Sequence, residues 1–320
     1  MLRQVLDMLD LLDDPNVDGA RVADYLTQIA PGVRDNISVA RAEGPKGHTD
    51  FIQVRVPGTR GRSVGGTART LGIVGRLGGI GARPERIGYV SDGDGATAAL
   101  AAAAKLLDMS TRGDTLPGDV IIGTHICPNA PTRPHEPVPF MDSPISMDQA
   151  NEYELSSDME AIVSIDTTKG NKIINHRGIA ISNTTKEGYI LPVSPDLVAM
   201  YETVCGIPAQ VFPLSIQDIT PYSNGLYHIN SILQPTTATT APVVGVALTA
   251  VTAVAGSATG ASHEYDIELA ARYSIEVAKG FGDGWLNFHD QTEWSHLQRL
   301  YGPLTHLQTP GEGGPATEDA

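Results

Sequence analysis

Apolar residues at Val5, Leu6, Leu9 and Leu12 recur at helical spacing until Pro15, and Val22 to Ile29 offers a second helix that ends before Pro31. Strand-like segments then take over. Residues 51–56 alternate apolar and polar up to Pro57-Gly58, whereas residues 70–74 form a short, nearly continuous apolar run of the buried parallel type. An alanine-rich helix over 96–107 and a second buried strand over 119–125 follow, and a βαβ unit is the simplest account of that order. Further strands are expected over 161–166, from 208 and over 243–248, with a helix over about 267–278. The stretch 132–144 carries four prolines and reads as an extended loop that roofs a site. The pattern predicts a three-layer α/β/α sandwich with a mixed, mainly parallel sheet. Residues 1–310 form a single α/β domain with an N-terminal helical segment, and 311–320 form a disordered tail.

Composition narrows the function. The chain has 320 residues, 41% of them hydrophobic, ample for a buried core. A net charge of -15 with 22 scattered basic residues argues against a nucleic-acid partner. Two cysteines, Cys127 and Cys205, and an acid-interrupted N-terminal helix predict a reduced, cytoplasmic protein. The apolar run 243–255 is too short to span a bilayer, so no membrane partner is expected. A phosphate-cradling Gly-Lys-Ser/Thr loop is missing.

Candidate chemistry gathers at strand ends. Asp92 and Asp94 stand in the turn Ser91-Asp92-Gly93-Asp94-Gly95, after a short apolar run and before a helix. An Asp-Gly turn of this kind also serves simply to cap a helix. His125 with Cys127, then Asp166, then His263 follow further strands, and a parallel sheet brings such positions to one edge. Taken singly, Asp166 reads as a cap, His263 as a surface histidine and Cys127 as a small buried residue. Together they predict a metal site drawn from Asp92, Asp94, His125, Cys127, Asp166 and His263, holding one or two ions of zinc or another divalent metal. Tyr222, Asn224 and His228 are candidates for holding a small polar ligand, against the alternative of a turn at residues 223–225 followed by a helix. The aromatic group Trp285, Phe288, His289 and Trp294 is expected to dock the last segment onto the core, or onto another subunit.

The order of elements resembles the zinc-dependent aminopeptidase and carboxypeptidase superfamily with a co-catalytic metal pair, over roughly residues 50 to 280. Asp92, opening a glycine turn into an Ala/Leu-rich helix, resembles the bridging aspartate. Asp166 resembles the later metal aspartate, and His263 before an acidic helix start resembles the terminal histidine ligand. The whole chain also resembles a bacterial family of uncharacterised proteins known as a domain of unknown function. Two departures stand out. Arg76 and Gly78 occupy the place of the His-x-Asp pair, for which His48 and Asp50 are a remote substitute, and Thr124-His125-Ile126-Cys127 occupies the place of the paired glutamates. An arginine does not ligate a cation, so Arg76 is read as a clamp for a substrate carboxylate. With no glutamate there, His125, Glu136 in the proline-rich loop or Asp94 remains as proton acceptor, and His125 is favoured as a ligand.

The resemblance implies a metal-dependent hydrolase of amide bonds in a small peptide-like substrate, working as a homo-oligomer. The alternative is a non-catalytic binding or assembly protein that has lost the catalytic glutamate. A metal-free lyase or isomerase using His125 and Cys127 is a third reading.

Overall fold

The computed structural model describes residues 1–311, so the tail expected at 311–320 lies almost wholly outside the described residues. Strands β1 (Ile37–Gly44) and β2 (Gly47–Val56) form a hairpin, and β3 (Leu71–Gly75), β4 (Val120–Ile126), β7 (Ala161–Thr167) and β12 (Val243–Thr249) form the parallel centre of the sheet. Two-residue strands β5 (Thr132–Arg133) and β6 (Phe140–Met141) pair only with each other, in the proline-rich loop predicted to stay out of the sheet. Beyond β12 come β8 (Gly178–Ser182), antiparallel to it, and β11 (Val211–Phe212). Short β9 (Thr185–Lys186) and β10 (Tyr189–Ile190) complete a ten-stranded sheet, in which the main path runs β1-β2-β4-β3-β7-β12-β8-β11.

One face is covered by α1 (Leu2–Leu12), α2 (Gly19–Ile29), α3 (Asp94–Thr111), α5 (Pro195–Cys205) and α6 (Glu264–Asp283). The other carries α4 (Met147–Glu154) and the 3-10 segments 216–219 and 231–238, while α7 (Gln291–Tyr301) lies near the C-terminus. Helix α3 is buried almost all round because its alanines let it lie between the sheet and α1, α2 and α6. The βαβ unit is β3-α3-β4, as the pattern predicted. Strand alternation sorts β7: Val163 and Ile165 point into the helical core, whereas Ile162 packs on the opposite face, the side from which Ser231 meets Asp166. The topology therefore gathers the carboxyl ends of β3, β4, β7 and β12 around one crevice.

Candidate functional site

Strand β3 runs directly into Arg76, whose guanidinium is 1% exposed. It pairs with Glu154 and donates to Asn151 Oδ1 (3.1 Å) and Met147 Sδ (3.1 Å). These three partners stand at i, i+4 and i+7 of α4, so a single helix face presents them together. The other Glu154 oxygen lies 2.6 Å from His125 Nδ1. The remaining ring nitrogen, Nε2, accepts the Gly78 N–H at 2.9 Å, which fixes the tautomer with the proton on Nδ1. The chain makes this contact through a turn with Leu77 at φ 54°, and a Cβ on Gly78 would lie 1.7 Å from the His125 carbonyl oxygen. Burial pushes the Glu154 carboxyl up, but Arg76 and His125 more than offset it, leaving it below the usual range.

A second ion pair closes the other side. Lys169 Nζ donates to Asp94 Oδ2 (2.7 Å) and to the Ala261 carbonyl (2.6 Å), and Ser262 Oγ donates to Asp94 Oδ1 (2.5 Å). The segment after β12 is strapped across the turn before α3: Asp92 N–H donates to Gly256 O and Ser91 N–H to Ala258 O, each at 3.0 Å. Burial raises Asp94 more than Lys169 lowers it.

Between the two ion pairs lie Asp92 and Asp166. Asp166 accepts from Ser231 Oγ (2.5 Å) and from Thr167 N–H (2.7 Å). Burial lifts it to about 6, with Ser231 and Arg76 opposing. Asp92 is 5% exposed and its Oδ2 is buried without a hydrogen-bond partner. Burial first, then the charges of Asp166 and Asp94, push it well above the usual carboxylate range. Nearby, the Tyr222 ring lies against His228 with centroids 4.5 Å apart and planes tilted by 30°, and neither ring nitrogen of His228 has a partner. Burial keeps that imidazole neutral by lowering its pKa, while burial and then the Asp166 charge raise the Tyr222 phenol.

Residues 40–311 match a family described as a protein of unknown function, DUF1177. The chain belongs to the DUF1177 family. A comparison with curated proteins finds no match. Among solved structures, the DUF1177 chain is similar to a variant of tomato leucine aminopeptidase at 14% identity and a TM-score of 0.51, covering 86% of this chain and 61% of that one. It is also similar to the bottromycin maturation enzyme BotP (14%, TM-score 0.47, 87% and 70%) and to an Acidobacteriales bacterium glutaminyl cyclase (13%, TM-score 0.47, 87% and 93%). The tomato likeness shows the fold, an aminopeptidase-like sandwich. Among the described residues no helix is long and apolar enough to cross a membrane.

Several residues singled out from the sequence have other work in the DUF1177 structure. Both nitrogens of His125 are engaged, so in this arrangement it offers no lone pair to a metal or a substrate proton. Arg76 is enclosed in its ion pair and does not reach outward as a clamp. Cys127 is buried, points its Sγ at the His48 carbonyl and is pushed up to about 11 by burial. Glu136 is exposed in the β5–β6 loop, and His263 is exposed at the N-cap of α6, facing Asp94 and Asp266 electrostatically. Asp50 is held by Arg41 and accepts the Gly19 N–H. Asn224 bonds Thr220 Oγ1 (2.8 Å), within a turn that has Ser223 at φ 66°. A 3-10 segment follows that turn in place of an α-helix. Trp294 and Phe288 are buried as expected, whereas Trp285 is 56% exposed. Sequence reasoning missed Glu154 and Lys169, although the Met147, Asn151, Glu154 spacing was a signal for the first.

Proposed function

We propose that the crevice hydrolyses an amide bond in a small peptide-like molecule, with one divalent cation held by Asp92 and Asp166. The reading rests on the unpartnered, buried Oδ2 of Asp92, beside a second acid that raises its pKa. Four buried acids, Asp92, Asp94, Glu154 and Asp166, share the crevice with two buried cations, Arg76 and Lys169, and one divalent ion closes that gap in charge.

The donor set selects the ion. Two carboxylates with water in the remaining positions suit a hard cation such as Mg²⁺ or Mn²⁺. Tetrahedral zinc asks for three or four protein ligands, and among the described residues no group of three His, Cys, Asp or Glu is assembled to hold a metal. This donor set favours a single hard ion over the co-catalytic zinc pair implied by the resemblance. When bound, such an ion supplies a polarised water and a Lewis acid for the amide carbonyl.

The chain's own groups bind and orient. Arg76 supplies fixed positive charge beside Glu154 and Asp166. Lys169 and Ser262 hold Asp94 at the start of α3, and with it the turn that places Asp92. The neutral His228 ring, with two free nitrogens, offers a hydrogen-bonding station for the substrate's polar atoms. The test is release of amine from amino-acid amides and dipeptides with Mg²⁺, Mn²⁺ or Zn²⁺ added. Turnover that needs Mn²⁺ or Mg²⁺ and disappears in Asp92→Asn supports the proposal, and no turnover with any of the three refutes hydrolysis.

A second reading, a binding protein without catalysis, is favoured by one observation. His125, standing where a proton acceptor is expected, has neither ring nitrogen free. Saturable binding of a dipeptide without turnover supports that reading.

A further inference from the structure

On the far side of α4 from Arg76, an open cavity of about 410 Å³ lies between that helix and the β1-β2 hairpin. This volume is in the range of small-molecule sites, about 300–1,000 Å³. Its floor is Phe51, which stacks on Tyr153 with ring centroids 4.7 Å apart and rings within 15° of parallel. Tyr153 is 38% exposed, so part of it remains available. The rim is polar, with Ser38, Gln53, Ser156 and Ser157, and its single charged side chain is Glu152. An aromatic platform beside a lone carboxylate, with no basic residue in the lining, attracts a cation and repels an anion.

The same helix carries the crevice's ion-pair network. Glu152 and Tyr153 line the cavity, while Asn151 and Glu154, their immediate neighbours, hold Arg76 and His125. Phe51 also touches the other end of that network, with its ring centroid 5.2 Å from His125.

We propose that this cavity is a second binding site, separate from the crevice, for a small organic cation built on a flat apolar ring. The ring stacks on Tyr153, the charge faces Glu152, and occupancy is felt at His125 through Phe51 and α4. Such a ligand is an effector of the crevice and not its substrate.

Benzamidine is the probe, and benzoate, its anionic counterpart, is the control. Titration of the full-length protein is followed by NMR, reading the ring signals of Tyr153 and His125. Saturable shifts of both with benzamidine, and none with benzoate, are expected. Glu152→Gln, an exposed position whose change leaves the fold intact, is expected to weaken binding about fivefold, the scale of one partly exposed charge contact. Tyr153→Leu is expected to abolish the shift at His125, while Asp92→Asn leaves the affinity unchanged, which keeps this site distinct from the crevice. Equal binding of benzoate, or binding indifferent to both Glu152→Gln and Tyr153→Leu, overturns the assignment. Binding lost in Asp92→Asn alone places the probe in the crevice and overturns it as well.

Discussion

Arg76→Met removes the guanidinium facing Glu154, a side chain with no solvent exposure, and leaves its carboxylate with His125 as remaining partner. Truncating one member of a buried ion pair costs about 3–5 kcal/mol, because the other charge stays behind without compensation. The geometry places this variant in that range, since both partners are at most 1% exposed and Arg76 also bonds Asn151. The pH dependence carries the sign. In the native protein Glu154 sits below its ordinary 4.5, so its contribution is present above that value and lost as pH falls through the lower folded pKa. In Arg76→Met, burial acts against His125 alone and the Glu154 pKa rises. The carboxyl then takes up a proton more readily, and the loss relative to wild type shrinks as pH falls from 7 toward 5. Urea unfolding followed by circular dichroism at several pH values measures this, and Arg76→Met/Glu154→Gln is expected to recover part of the loss. A loss below about 1 kcal/mol at pH 7, or one of constant size across pH, refutes the view that Arg76 compensates a buried charge.

Gly78→Ala is expected to cost about 1–3 kcal/mol or more, since the new methyl meets the His125 backbone and the turn has to shift; thermal unfolding checks it. Lys169→Met leaves Asp94 without its cation and releases the Ala261 carbonyl. Faster amide exchange at residues 91, 92 and 258 is the expected result, and unchanged protection contradicts it. His228→Phe keeps the ring contact with Tyr222 while removing two unpaired ring nitrogens, so stability is expected to hold or rise by about 1 kcal/mol. The same variant is expected to lose dipeptide binding, and affinity equal to wild type removes His228 from the site.

The centre of the fold was legible because β3, α3, β4, β7 and β12 announce themselves as apolar or alanine-rich runs bounded by glycine, polar or acidic residues. Strand β1 was hidden, since its pattern mixes Ser38, Arg41 and Glu43 with small residues at an exposed edge. Helix α4 was hidden by its polarity: Asn151 and Glu154 look like solvent-facing residues until the fold brings Arg76 to them. That is also why Arg76 read as a substrate clamp. A buried arginine is recognisable only once its carboxylate is found, and Glu154 is 78 residues away. Asp166 could be picked out because it stands near the end of β7, which sets its height above the sheet, whereas Asp92 stands in the turn that opens α3 and is placed by the loop bonds to Gly256 and Ala258.

The most direct measurement is metal content and Mn²⁺ uptake of the purified full-length chain, wild type beside Asp92→Asn, by elemental analysis and electron paramagnetic resonance titration. One divalent ion per chain is expected in the wild type, exchangeable among hard cations, and none in Asp92→Asn. Two tightly held zinc ions per chain, or Mn²⁺ uptake that survives Asp92→Asn, contradicts the assignment of a single hard cation to Asp92 and Asp166.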